Sequence, residues 1–97
     1  MRATRALLKV VGVLLEGHPS QEYYGLELSR ASGLKSGKLY PLLDRLQAEG
    51  WVQSRWEDAE PSETGRPRRR LYQLTATGAH EARLVLVELL PGVARWT

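Results

Sequence analysis

The densest group of cationic side chains lies late in the chain, in the segment 65–70, which reads Gly-Arg-Pro-Arg-Arg-Arg. Its cations are Arg66, Arg68, Arg69 and Arg70. A guanidinium keeps its charge at physiological pH and can donate two parallel hydrogen bonds to a phosphate. Pro67 stiffens the segment, and an extended backbone of this kind fits a narrow minor groove. The run therefore predicts a nucleic-acid contact, with a solvated turn as the simpler alternative.

A second group of candidate contacts surrounds the start of a predicted helix at 36–50. Its members are Lys35, Ser36, Lys38 and Tyr40. Free backbone N–H groups and the helix dipole favour a phosphate at such a position. Ser36 could equally cap the helix, and Tyr40 could pack against a neighbouring hairpin. Arg45 is expected on the flank of this helix, either paired with Asp44 or Glu49 or in contact with the DNA backbone.

The residues offer no enzymatic site. No nucleophile–base pair, paired carboxylates or glycine-rich phosphate loop stands out. The chain has no cysteine, which excludes disulfides, thiolate catalysis and cysteine-based metal sites. The two histidines, His18 and His80, lie far apart in sequence and lack the spacing of metal ligands. We therefore expect neither catalysis, nor a metal, nor a cofactor.

The length of 97 residues allows one small domain, whose core is thin enough that a partner subunit is expected. The net charge is only +3, so any contact with nucleic acid depends on where the cations lie. The longest apolar-rich stretch, 6–15, is interrupted by Lys9 and Gly12 and is too short to cross a bilayer, which takes about 20 residues. It also lacks a signal-peptide cleavage site. A cytoplasmic, nucleoid-associated protein without a membrane segment is the expectation.

Hydrophobic periodicity predicts three helices in the first half of the chain. The first covers 4–16, and the second begins at a Ser20 cap and ends near Gly33, which can adopt the left-handed conformation that closes a helix. The third is the helix at 36–50, whose leucines recur at intervals of three and four residues. These leucines are Leu39, Leu42, Leu43 and Leu46.

After the helix at 36–50 the spacing of the apolar residues is no longer helical. Segments 51–56 and 69–75 have strand composition and enclose a polar loop of about ten residues, which predicts a hairpin. A last helix follows a cap at Thr75 or Thr77 and is interrupted by Pro91-Gly92. The order predicts an α+β, mostly α fold, the winged helix-turn-helix, with DNA-binding residues 1–75 and a dimerisation helix within 76–97. Its third helix would enter the major groove, and its wing would reach the minor groove or backbone.

Residues 37–51, which read GKLYPLLDRLQAEGW, resemble the recognition-helix signature of PadR-family transcriptional regulators. Similar features are Tyr24-Gly25, the Gly-Arg-Pro-Arg-Arg wing at 65–69, and the Tyr-Gln-Leu-Thr segment at 72–75 with Gly78 after it. The resemblance covers about residues 5–86. The short last helix is similar to the compact subgroup that lacks a separate C-terminal domain. Lys38 departs from the family pattern, which commonly has a small hydroxyl residue there.

The resemblance implies a prokaryotic, homodimeric DNA-binding regulator, usually a repressor and often released by a small ligand or a stress signal. Family dimers are built largely by the last helix, often together with the first. Carried over, this assigns dimerisation to Leu7, Val11, Leu14, Leu86, Leu89, Leu90 and Trp96. An effector pocket, if the chain has one, is expected between the helix-turn-helix and the dimer helix, beside Trp51 and Trp56.

A roughly palindromic operator is expected, with the two recognition helices about 34 Å apart. A rival interpretation is a protein–protein interaction module whose apolar last helix docks on a partner. An RNA-binding protein would use the same arginines together with stacking aromatic residues, but the tyrosines here are expected inside the fold.

Overall fold

The computed structural model describes residues 2–89, without the side chain of Leu89. In chain order the elements are α1 (Arg5–Glu16), β1 (Tyr23–Tyr24), α2 (Gly25–Ser32), α3 (Ser36–Ala48), β2 (Val52–Trp56), α4 (Pro61–Thr64), β3 (Arg70–Leu74) and α5 (Ala76–Leu89). The helices pack around a small antiparallel sheet with strand order β1-β3-β2. This arrangement confirms the predicted mostly helical α+β class and its winged helix-turn-helix architecture.

Helix α1 runs through the centre of the core. The side-chain oxygen of Thr4 accepts a hydrogen bond from the Leu7 N–H group at 3.1 Å and so caps the first turn. Four side chains at helical spacing are buried: Leu7, Val10, Val11 and Leu14. They pack among α2, α3 and α5, so a single helix supplies the surface on which the other three assemble.

The second helix starts later than predicted, so the prediction that Ser20 caps it is wrong. Tyr23 and Tyr24 instead form the short strand β1, and Tyr23 pairs with Tyr72 of β3. The Glu27 carboxylate accepts the Tyr24 N–H at 3.1 Å, which fixes the start of α2 at the next residue. The local pattern could not reveal this strand because its partner lies almost fifty residues further along the chain.

The turn between α2 and α3 is held by two serines of α2. Gly33 ends the helix in the predicted left-handed conformation, with φ of 76°. The Ser29 hydroxyl donates to the carbonyl of Leu34 at 2.6 Å, and the Leu34 N–H donates to the Ser32 hydroxyl at 3.2 Å. These bonds satisfy the backbone of the turn and fix the angle at which α3 leaves it.

The wing consists of β2, β3 and the segment 57–69 that joins them. The strands pair from Val52 with Leu74 to Trp56 with Arg70. The joining segment was predicted as a polar loop, but it contains the one-turn helix α4, which starts at a proline as short helices often do. The helix brings the acidic residues of this segment back towards its arginines.

Helix α5 begins after Thr75, whose hydroxyl accepts the Gly78 N–H at 2.9 Å and thereby supplies the predicted cap. Gly78 packs directly on the backbone at the start of the wing, where a β-carbon would come within 2.0 Å of the carbonyl oxygen of Trp51. Ala79 and Ala82 continue this close contact and are buried. The predicted break at Pro91-Gly92 lies outside the described residues.

Candidate nucleic-acid interface

Helix α3 begins one residue earlier than a Ser36 cap would require. The carbonyl of Lys35 accepts hydrogen bonds from the N–H groups of Lys38 and Leu39 at 3.0 and 2.9 Å, which makes Lys35 the capping residue. Ser36 is the first helical residue, and no side chain caps this end of the helix. The capping alternative for Ser36 is therefore wrong, and both Lys35 and Ser36 are exposed at the helix start.

The buried side of α3 decides where its polar side chains lie. Leu39, Leu43 and Leu46 are completely buried, as their spacing predicted. Lys38 and Arg45 are exposed and stand seven residues apart, so they share one flank of the helix. Tyr40 follows Lys38 by two residues, about 200° around the helix, and therefore lies on the opposite flank.

Tyr40 leans against the junction of β1 and α2. A β-carbon on Gly25 would lie 2.0 Å from the Tyr40 hydroxyl oxygen, so only glycine leaves room for the ring in this position. The tyrosine keeps 43% of its surface exposed. The sequence left open whether Tyr40 packs inside the fold or contacts DNA. In the structure one side of the ring packs on α2 and the other side remains accessible.

Glu57 ties the two arms of the wing together. Its carboxylate accepts hydrogen bonds from the Arg66 guanidinium and from the Arg69 N–H group, the latter at 2.9 Å. Its own N–H group donates to the Arg69 carbonyl at 2.9 Å. The hydrogen bond from Arg66 is the main cause of a pKa of Glu57 below its ordinary value, so this carboxyl stays ionised near neutral pH.

The remaining wing arginines also have partners within the chain. Arg68 forms an ion pair with Glu60 at 2.5 Å, in which both side chains are about half exposed. The guanidinium of Arg69 lies 4.0 Å from the centroid of the Tyr24 ring. Arg70 lies 5.3 Å from the Trp56 ring, its cross-strand neighbour, and donates to the Ser54 hydroxyl at 3.0 Å. Stacking on aromatic rings leaves the edges of Arg69 and Arg70 available to an anion.

These elements enclose a cleft of about 420 Å³ between α3 and the wing. Its lining is aromatic and cationic, and consists of Tyr24, Gly25, Leu26, Tyr40, Trp56, Arg68, Arg69, Arg70 and Tyr72. Burial raises the pKa of the Tyr72 hydroxyl above its ordinary value, so this hydroxyl stays protonated near neutral pH. The cleft presents hydrogen-bond donors, positive charge and flat apolar surface, a combination suited to the sugar-phosphate backbone of a nucleic acid.

The predicted contact residues thus fall into four groups. Tyr40, Arg68, Arg69 and Arg70 line the cleft, while Lys35 and Ser36 border a neighbouring depression that also includes Tyr40. Lys38 and Arg45 lie on the other flank of α3. Arg45 makes neither of its two predicted ion pairs within residues 2–89. Arg66 is held by Glu57, with a third of its side chain exposed.

The two tryptophans expected to share an effector pocket are separated by the structure. Trp51 is 6% exposed and belongs to the core, whereas Trp56 is 57% exposed and lines the cleft. The prediction that both line one pocket is therefore wrong. The physical reason is strand alternation combined with α5, which covers the start of β2 and leaves the end of that strand open.

Three of the residues assigned to dimerisation are also placed differently. Leu7, Val11 and Leu14 are at most 1% exposed and are enclosed by the chain's own helices, so the assignment of this face to a dimer is wrong. Leu86 is half-buried on α5. Leu90, Trp96 and the side chain of Leu89 lie outside the described residues. The exposed large apolar side chains of α5 are Leu84 and Val87.

The sequence interpretation missed Glu57 and gave Gly25 no role in the site. An acidic residue nine positions before Arg66 carries no periodic signal, because the turn of α4 creates their contact. Gly25 offered a weak signal, a glycine directly after two aromatic residues, which is typical of close backbone packing.

The described part of the chain gives no support to other kinds of site. No cluster of three metal-ligating side chains occurs within residues 2–89. Among the helices of this range, none has the length and apolarity that crossing a bilayer requires.

Comparison with protein families gives one match, to the model described as the transcriptional regulator PadR-like family, over residues 14–84. The chain belongs to this family. PadR-like proteins are transcriptional regulators, so membership confirms both the resemblance drawn from residues 37–51 and the expectation of a regulator rather than an enzyme. No curated protein matches the chain significantly.

Solved structures agree with the PadR-like assignment. A PadR family transcriptional regulator from Eggerthella lenta DSM 2243 is 25% identical, with a TM-score of 0.64 over 88% of this chain and 70% of the other. The circadian clock associated protein Pex from anabaena is 26% identical, with a TM-score of 0.61 over 84% and 70%. Overoxidized AbfR bound to DNA is 22% identical, with a TM-score of 0.69, and shows the same fold. This chain spans 65% of AbfR.

Proposed function

We propose that this PadR-like chain regulates transcription by binding double-stranded DNA in a sequence-specific manner, with α3 in the major groove and the wing on the adjacent minor groove or backbone. The observation that carries the proposal is the shared cleft, because it places Tyr40 of α3 beside the arginines of the wing. A helix and a hairpin that present donors on one surface can contact a groove and its wall together. AbfR, which has this fold, is bound to DNA in its solved structure, and this supports the proposal that the present chain binds DNA.

The wing supplies affinity through its arginines. Arg69 and Arg70 need no rearrangement, since the ring beside Arg69 leaves its guanidinium edges free for a phosphate, and Arg70, whose Nε donates to Ser54, still has its two terminal nitrogens available. Arg68 must exchange the Glu60 carboxylate for a phosphate, and an ion pair this exposed costs little to break. Arg66 stays with Glu57 and holds the shape of the wing.

Helix α3 supplies specificity and register. Lys35 and Ser36 lie at its N-terminus, where backbone N–H groups favour a phosphate, and Lys38 follows within the first turn. Lys38 replaces the small hydroxyl residue that is common in the family, so it would extend further towards a base edge or a phosphate than the usual residue.

The protein would act as a homodimer on a palindromic operator, most simply as a repressor. Leu84 and Val87 are three residues apart on α5 and are 47% and 42% exposed, which leaves an apolar stripe on the described part of that helix. A second copy of α5, with Leu86, Leu89, Leu90 and Trp96, would cover it. An effector in the cytoplasm would then act by changing the spacing of the two α3 helices.

Fluorescence anisotropy tests the proposal with a labelled duplex from upstream of the chain's own gene and a shuffled duplex of equal composition. Tight binding to the first should weaken linearly in log Kd against log salt concentration. Replacing Arg68 with alanine should weaken binding to both duplexes and reduce the salt slope by about 1, whereas Lys38→Ala should change the preference between them.

Arg83→Ala is the matched control, because Arg83 is exposed on α5 and lies outside α3 and the wing. Since Arg83 is one helical turn from Val87, sedimentation velocity must show that this variant keeps the association state of the wild type. Equal binding of both duplexes would remove sequence specificity from the proposal. A chain that binds no duplex but forms a stable complex with another protein would instead be an interaction module.

A further inference from the structure

The flank of α3 that faces away from the wing carries cations that form no ion pair with any residue between 2 and 89. The ion pairs found within residues 2–89 involve only Arg55, Arg66 and Arg68. Arg45 makes none, although Glu49 follows it by four residues, a spacing at which helical pairs often form. The charges of this flank are therefore not neutralised by the described part of the chain, in contrast to those at the tip of the wing.

The same flank faces the beginning of α1. Arg2, Thr4, Leu42 and Arg45 line a small groove of about 260 Å³, which brings one cation from each of the two segments to a single surface. Lys38 stands two helical turns before Arg45, about 10 Å along the helix axis, and extends the row. Arg2, Lys38 and Arg45 are all exposed.

The position of the groove is fixed from inside the fold. Thr4 caps the first turn of α1, and the buried Leu7 and Val10 anchor that turn in the core beside α3. Two cations that line one groove repel each other, and a polyanion that contacts both relieves the repulsion.

A helix lying in the major groove has a phosphodiester strand on each side. The wing and Tyr40 occupy one side of α3, and Lys38, Arg45 and Arg2 occupy the other. We propose that Arg2 and Arg45, aided by Lys38, bind the phosphodiester backbone of the strand opposite the wing, so that α1 contributes directly to DNA binding. This inference rests on the proposed function, since it requires α3 to lie in the groove.

Salt-dependent DNA binding tests the inference with Arg2→Gln, Arg45→Gln and their combination. Each lost phosphate contact should reduce the salt slope by about 0.9, and the double variant should bind about tenfold or more weakly at low salt. Arg2→Lys and Arg45→Lys should retain most of the slope, because they keep the charge. Arg83→Gln, an equal loss of charge on α5, should leave the slope unchanged, and circular dichroism should show the same thermal unfolding for all variants.

Unchanged affinity and slope in the double variant, in a chain whose Arg68→Ala form does lose slope, would overturn the role of this flank and leave the proposed function intact. A wild-type chain that binds no duplex would overturn both. If Arg83→Gln lowered the affinity and the salt slope as much as Arg45→Gln does, the effect would depend on net charge alone. That result would also overturn the inference.

Discussion

The hydroxyl oxygen of Tyr40 rests against the α-carbon of Gly25, at a place where a β-carbon would approach it within 2.0 Å. This contact joins the start of α3 to the β1–α2 junction without an intervening side chain. It holds the aromatic ring at the edge of the cleft, facing the arginines of the wing. The position of a candidate DNA-contact residue thus depends on a glycine that itself contacts no DNA in the proposed arrangement.

Gly25→Ala should displace Tyr40 and leave the fold intact. The clashing atoms belong to the end of a half-exposed side chain, which can move, so we expect a loss of about 1 kcal/mol in the free energy of unfolding. Urea denaturation measures this loss, and the accessibility of the Tyr40 ring to nitration reports its movement. An unchanged Tyr40 environment in the variant would contradict the prediction.

Gly78→Ala is the matched comparison and should be far more damaging. Here the new β-carbon would meet the backbone carbonyl of Trp51 at 2.0 Å, and a backbone in the core cannot move aside. Alanine would otherwise favour the helix by about 1 kcal/mol, so a net loss of about 3 kcal/mol or more would reflect the clash. Equal stability of the two alanine variants would show that α5 can shift away from the wing.

The stability of the protein should fall in acid partly through Glu57 and Glu22. Hydrogen bonds from Arg66 and Arg55, respectively, place the pKa values of these carboxyls below 4.5 in the folded chain. A carboxyl with a lowered pKa stabilises the fold above its unfolded value, about 4.5, and this contribution disappears as the pH falls through the folded value.

Glu57→Gln and Glu22→Gln should therefore lower the urea midpoint at pH 7 and converge on the wild-type midpoint as the pH falls through the lowered pKa of each carboxyl. Glu57→Gln should have the larger effect, because its carboxylate also accepts the Arg69 N–H group and is less exposed. A difference from wild type that is the same at pH 7 and pH 3 would argue against these ion pairs as the cause.

Removing the carboxylate that holds Arg68 should strengthen DNA binding. Glu60→Gln frees the guanidinium for a phosphate, and we expect about a threefold lower Kd at low salt, with the gain fading as salt screens the charges. Glu63→Gln is the control, since Glu63 is exposed in the same short helix and makes no ion pair within residues 2–89. A similar gain in both variants would mean that only net charge matters.

A charge on the apolar stripe of α5 should weaken self-association. Leu84→Glu would put a carboxylate at the centre of the proposed contact between two copies, and sedimentation velocity should show a shift from dimer to monomer at micromolar concentration. Ser62→Glu, at an exposed position of α4 on the wing and away from α5, should leave the association state unchanged. A dimer that tolerates Leu84→Glu would exclude this stripe as the contact.

Local signals in the sequence predicted the fold well. The leucine spacing of α3, the left-handed Gly33 and the Thr75 cap each depend on residues within about one helical turn, so the pattern is sufficient to identify them. Local signals gave wrong predictions at Ser20 and Ser36, because a serine before an apolar run is typical of a helix cap. The sequence pattern is the same when a strand intervenes, as after Ser20, or when the preceding residue caps the helix, as Lys35 does.

The sequence by itself determined the order of the four longer helices and the two wing strands, the PadR-like family and the presence of a cationic wing, because helical period, turn residues and a dense arginine run are properties of neighbouring residues. The tertiary structure alone decided which arginines already have partners, which face of α1 is enclosed by its own chain, and which flank of α3 remains positively charged. Those outcomes depend on contacts between residues far apart in sequence, such as Gly25 with Tyr40 and Glu22 with Arg55, and packing rather than local preference brings such residues together.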